Sequence, residues 1–134
     1  MNVISATPIE IATTAYDRSS CQVGVVHLGF GAFHRAHQAV YLDDCMEKTG
    51  DLRWGIGAVN LRRSEAAHFK RAEKDVRCHD GYFLKTYSSN GEVFLRRVRS
   101  HVQFSDWSVD KQESEALLSL RSVHMVTITV TESG

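Results

Sequence analysis

The sequence predicts an α/β fold, a doubly wound parallel sheet carrying an inserted antiparallel hairpin. Three observations predict it. A valine-rich run at residues 22–28 ends at a glycine turn, Gly29 and Gly31, and gives way to a helical period. A second apolar run at 53–59 follows within the length of a strand-helix-strand unit, roughly thirty to forty residues. Between these runs and a third, β-branched one at 123–130, the dipeptide Asn90-Gly91 separates two alternating segments, the strongest short-range hairpin signal.

Taken in order, residues 1–20 are polar, contain the sole proline, Pro8, and read as an N-terminal arm. Residues 22–28 form the first strand, of the buried parallel kind. Phe33, Ala36, Val40 and Cys45 or Met46 share a face, which predicts one helix over 33–48, stopped by Gly50. The strand at 53–59 closes a right-handed unit and is parallel to the first. Ser64 is placed to cap a helix ending near Lys74. The hairpin strands are 82–87 and 93–98, a short helix covers 111–120, and the strand at 123–130 comes last. The chain then reaches Gly134 with no helix to cover that strand. Parallel sheets are covered on both faces, so 21–134 reads as the first part of a truncated nucleotide-binding domain.

Composition narrows the function. The 134 residues are 43% apolar, enough for one domain with a core. Sixteen basic and sixteen acidic side chains cancel, so no global field draws nucleic acid or an anionic membrane. Cys21, Cys45 and Cys78 are odd in number and lack any Cys-x-x-Cys spacing, which suits reduced thiols in the cytoplasm. The first twenty residues lack a basic start followed by an apolar run, and nowhere do eighteen consecutive apolar residues occur, so neither export nor membrane spanning is expected. There is no G-x-S-x-G elbow and no Walker-type lysine, which removes the simplest hydrolase and phosphoryl-transfer readings.

The glycine turn carries the chemistry. Gly29 permits a sharp exit from the strand, and Gly31 lets the backbone approach a pyrophosphate. The third glycine of the usual fingerprint is replaced by His34, so helix and strand cannot approach as closely. An FAD would also suit such a turn. Arg35 falls in the first helical turn, unfavourable for a cation unless an anion lies nearby; a salt bridge to a carboxylate is the plainer alternative. Beyond the second strand, where an acidic residue commonly takes the adenosine ribose, stand Asn60, Arg62, Arg63 and Glu65, which leaves NAD and NADP both open. If the last strand lies beside the first, Thr131 and Glu132 face the cofactor or the substrate mouth. His34 and His37 lack a third ligand at metal spacing, and His27, His68, His79, His101 and His124 read as packing or surface residues. Arg96, Arg97 and Arg99 read as a polar sheet face.

The stretches VVHLGFGAFHRAHQAVYLDD (25–44), RWGIGAVNLR (53–62) and TITVTESG (127–134) resemble the mannitol dehydrogenase family, the polyol-specific long-chain dehydrogenases that include arabinitol dehydrogenases and fructuronate or tagaturonate reductases. That family's loop is G-x-G-x-F-x-R-x-H, which accounts for His34. The resemblance implies an incomplete Rossmann-type domain, a helical C-terminal domain outside this sequence, and hydride transfer between nicotinamide and a sugar alcohol or sugar acid. It assigns Gly29, Phe30, Gly31, Ala32 and Phe33 to the cofactor loop, Arg35 and His37 to the polar positions that follow it, and Thr131 and Glu132 to the turn after the later strand. It implies no metal, NAD as the preferred cofactor, and a general-base lysine beyond residue 134, so no catalytic residue is expected here. The alternative reading is a truncated chain that at most binds a dinucleotide, without turnover of its own.

Overall fold

The computed structural model describes residues 10–131; the first nine residues of the expected arm, and Glu132, lie outside the described residues. Seven strands and four α-helices are described: β1 (Ile11–Thr13), β2 (Val23–Leu28), α1 (Ala32–Ala36), α2 (Gln38–Thr49), β3 (Gly55–Asn60), α3 (Ala66–His79), β4 (Tyr82–Tyr87), β5 (Val93–Val98), β6 (His101–Asp106), α4 (Lys111–Leu118) and β7 (Met125–Ile128).

β2 and β3 are the buried centre of a four-stranded sheet ordered β6-β3-β2-β7, parallel at every pairing. The alternation of β3 divides the core. Ile56 and Ala58 pack with Ala39 of α2 and Phe69 and Val76 of α3. Val59 packs with Val23, Val26 and Leu117 of α4 in a separate cluster. Helices therefore cover both faces, as a doubly wound sheet requires.

Two expectations are corrected, and one strand is new. The helix expected over 33–48 is two helices, because the chain breaks at His37, whose φ of −124° and ψ of −83° are not helical. The inserted antiparallel hairpin is there as expected, and its strands β4 and β5 join β1 in a separate three-stranded sheet ordered β1-β5-β4. α3 runs past Lys74 to His79, because Val76, two turns beyond Phe69, buries itself on the same core before Asp80 turns left-handed. β6 was not anticipated, since its buried positions include His101 and Ser105, which do not read as strand interior.

The two sheets are held together by charge as well as packing. Asp43 of α2 is fully buried and accepts from Arg96 of β5 at 2.8 Å and from the Tyr16 hydroxyl at 2.5 Å. Arg99, nearly buried, reaches Asp80 at 2.9 Å and the carbonyls of Thr14 and Tyr16. The arginines of β5 and its exit thus serve internal pairing, with Arg97 reaching Thr13 and the His79 carbonyl.

Candidate functional site: a glycine turn at a sheet switch point

The carboxyl ends of β2 and β7 lie side by side, with Leu28 opposite Ile128, while β3 flanks β2 on its other edge. The chain leaves β2 for a strand on one side and later fills the other, so a crevice opens at the point where strand order reverses. Gly29 and Gly31 stand at its mouth.

Gly29 has φ +117°, a conformation that side chains rarely adopt, and its amide donates to the Val59 carbonyl at 2.7 Å. The turn is therefore pinned to β3 as it leaves β2. Gly31 is different. Its φ of −83° suits any residue, and a Cβ added there would meet nothing within 4 Å. Nothing in the described chain requires glycine at 31, and the turn presents bare backbone to open space. Gly31 caps α1 without a side-chain hydrogen bond, so the first amides of that turn are not taken by a capping side chain.

The remaining loop residues divide between inside and outside. Phe30 turns inward, its ring edge-on to His101 at 4.7 Å, Phe104 at 5.5 Å and Tyr82 at 5.8 Å. Ala32 and Phe33 are exposed, and Phe33 stacks on His37 at 4.2 Å. Arg35 has no carboxylate partner among the described residues. Its guanidinium lies 4.6 Å from the ring centres of both Phe30 and Tyr82, and the Tyr82 hydroxyl donates to its carbonyl at 2.5 Å.

His34 explains how the turn tolerates a bulky residue at the third glycine position. Its imidazole is buried and lies flat on that of His27 of β2, with centroids 3.7 Å apart and planes 4° from parallel. A ring stack sets the helix-strand spacing that direct backbone contact would otherwise set. His34 also joins a buried hydrogen-bonded chain. Its Nε2 is 2.9 Å from Nε2 of His101 on β6, and its Nδ1 is 3.0 Å from Gln38 Oε1. Gln38 Oε1 accepts from the Thr127 hydroxyl of β7 at 3.0 Å, and Thr127 Oγ1 is 2.7 Å from His27 Nδ1. Burial pushes the His34 imidazole down to about 3, with the neighbouring His27 and Arg35 acting in the same direction. Burial likewise lowers His27, and lowers His101 well below the ordinary histidine value. All three rings are neutral at physiological pH. His34 and His37 do not converge on a common point: His37 faces outward and bonds the Phe33 carbonyl at 2.7 Å. Among the described residues no three His, Cys, Asp or Glu side chains are grouped to hold a metal ion.

Past β3 the expected residues are present, but Asn60 is occupied. Its side-chain amide donates to the Arg62 carbonyl at 2.9 Å and to Asp106 Oδ2 at 3.1 Å, and its oxygen accepts from the Arg62 amide at 3.3 Å. Asn60 builds the turn; it is not a free acceptor. Arg62 and Glu65 are exposed beyond it. Thr131 is exposed past the end of β7, and Glu132 lies outside the described residues. Sequence reasoning missed Gln38, His101, Thr127 and Asp106. Of the three histidines only His27 stands in an apolar run, and the spacing of 67 residues from His34 to His101 gave no hint of contact.

No protein-family model matches the chain. It is 30% identical over 96% of its length to a mannitol 2-dehydrogenase of Pyricularia oryzae, of which it covers 25%. Over 46% of its length it is 46% identical to a D-mannonate oxidoreductase of Escherichia coli. Its fold matches a Pseudomonas fluorescens mannitol 2-dehydrogenase, solved as a ternary complex with NAD and D-mannitol, with a TM-score of 0.77 and 29% identity over 93% of this chain and 25% of that one. The chain thus spans about a quarter of the length of the mannitol 2-dehydrogenases it matches.

Proposed function

We propose, from the premise that this chain belongs to the mannitol dehydrogenase family, that it forms the dinucleotide-binding part of an oxidoreductase moving a hydride between nicotinamide and a sugar alcohol or sugar acid. The observation that carries this reading is the open cradle at Gly31. A glycine required by neither conformation nor neighbours, at the switch point of a parallel sheet, leaves room for a pyrophosphate against the backbone.

In this reading Gly29, Phe30, Gly31, Ala32 and Phe33 line the phosphate turn. Phe30 acts from inside, by seating the turn on the aromatic cluster, and Phe33 from outside. Arg35 supplies a cation whose face is shielded by Phe30 and Tyr82, with no internal carboxylate among the described residues to neutralise it. On the adenosine side, Asn60 shapes the loop that presents Arg62 and Glu65. Glu65 offers a carboxylate to a ribose diol and favours NAD, the cofactor of the structural relative; Arg62 offers a partner to the extra phosphate of NADP. Thr131 follows β7 at the crevice, where it would face the nicotinamide and the substrate. A bound dinucleotide would supply the hydride chemistry, and these residues would hold and orient it. Three free thiols fit a cytoplasmic setting.

Titration with NADH and NADPH, read by nicotinamide fluorescence, tests the binding role. Binding of NADH in preference to NADPH is expected; binding of neither overturns the reading. A panel of sugar alcohols and uronates with NAD, followed by the absorbance of reduced cofactor, then tests the substrate class in the whole enzyme.

A further inference from the structure

With Gln38 Oε1 facing both His34 and Thr127, the buried hydrogen-bonded chain admits one consistent set of protons. Gln38 Oε1 only accepts, and it lies within reach of both Thr127 Oγ1 and His34 Nδ1. His34 therefore carries its proton on Nδ1 and offers a lone pair at Nε2. His101 must then donate from Nε2, which leaves its own Nδ1 as a bare lone pair. That atom is the one buried side-chain nitrogen or oxygen without a hydrogen-bond partner among the described residues. An unprotonated nitrogen there is far less costly than an orphaned N–H. At the other end the Thr127 hydrogen is used on Gln38, so His27 donates from Nδ1 to Thr127 Oγ1.

This chain ties the glycine turn to three strands. His34, in α1, is stacked on β2, bonded to β6 through His101, and linked to β7 through Gln38 and Thr127. The Phe30 ring rests against the same His101. Gln38 is the first residue of α2, so both sides of the break at His37 are fixed together.

We propose that His34, Gln38 and His101 are positioning residues for the dinucleotide turn, holding residues 29–35 at the β2–β7 crevice through this single set of tautomers. The inference rests on the dinucleotide reading given above and adds to it which buried residues preorganise the turn. Preorganisation raises affinity by removing the cost of ordering the loop on binding.

Two measurements on this chain test it. Long-range nitrogen-proton NMR of the unaltered chain at neutral pH should assign the Nδ1–H tautomer to His27 and His34 and the Nε2–H tautomer to His101. NADH titration should then show His101→Phe, which keeps ring volume but removes the donor, binding about tenfold more weakly. His101→Gln, which returns an N–H near the same place, should recover binding to within about threefold of the unaltered chain, and Leu117→Ala, a change in the separate core cluster with Val23, Val26 and Val59, should leave affinity unchanged. A different tautomer at His34 or His101, or a folded His101→Phe with unaltered affinity, overturns the inference and leaves dinucleotide binding standing. No binding of NADH by the unaltered chain overturns both, and is distinguished by that result alone.

Discussion

The ring of His34 lies parallel to that of His27 at a centroid distance of 3.7 Å, and this stack occupies the place where a dinucleotide turn ordinarily has a bare glycine. The consequence is a turn supported by buried, neutral imidazoles, which makes the fold sensitive to acid in a definite direction.

Burial lowers His27, His34 and His101 from the ordinary histidine value, so below about pH 6.5 the unfolded chain binds more protons than the folded one. Their contribution to stability is complete above that value and is lost as pH falls, by up to about tenfold in the folding constant per pH unit for each histidine. The loss continues until His34 takes a proton in the folded state near about 3. Urea midpoints measured from neutral pH down to about pH 5 should fall steadily; a flat series would show that these rings are not held neutral.

The two glycines of the turn should separate stability from binding. Gly29→Ala forces a side chain into φ +117° and should cost about 1–3 kcal/mol. Gly31→Val should change stability by less than about 0.5 kcal/mol, since its Cβ stands in open space, yet abolish NADH binding by filling the cradle. Denaturant melts and nicotinamide fluorescence on both variants check this, and retained binding by Gly31→Val would contradict it.

Asp43 and Asp44 both pair with Arg96, but only Asp43 is fully buried. Asp43→Ala leaves Arg96 and Tyr16 without their buried acceptor and should cost about 3–5 kcal/mol. Asp44→Ala, at a side chain 39% exposed, should cost less than about 1 kcal/mol. Chemical denaturation of the pair tests whether burial or mere pairing decides.

Asn60→Asp restores the acid commonly found after this strand, yet the geometry opposes it. The new oxygen would face the Arg62 carbonyl and the Asp106 carboxylate in place of a donor. A loss of about 1–3 kcal/mol in stability is expected, with no gain in NADH over NADPH affinity. Improved NADH selectivity would show that Asn60 is freer than its hydrogen bonds imply.

The parts of the fold that could be read from sequence are those whose signal is local. Val23–Leu28 and Gly55–Asn60 announce themselves by apolar character, and Asn90-Gly91 marks its hairpin. The hairpin's partner was hidden, because its pairing with Ile11–Thr13 joins residues more than eighty positions apart in sequence. β6 was hidden for a different reason. His101 and Ser105 look like surface residues until the partners that make their burial affordable are known: His34 for one, Ser114 for the other. The glycine turn was legible to the residue, but the histidine chain beneath it depends on side chains from β2, α1, α2, β6 and β7 meeting in three dimensions. Asn60 shows the opposite case, a residue at the end of its strand as the sequence suggests, whose side chain is committed to shaping its own loop.

The most direct test of a dinucleotide crevice between β2 and β7 is a backbone amide NMR titration of this chain with NADH. The expected result is a contiguous set of perturbed amides over residues 29–35, continuing across the crevice to Ile128 and Thr131. Perturbations confined to α3 or to the β4–β5 hairpin, or none at saturating NADH, would contradict it.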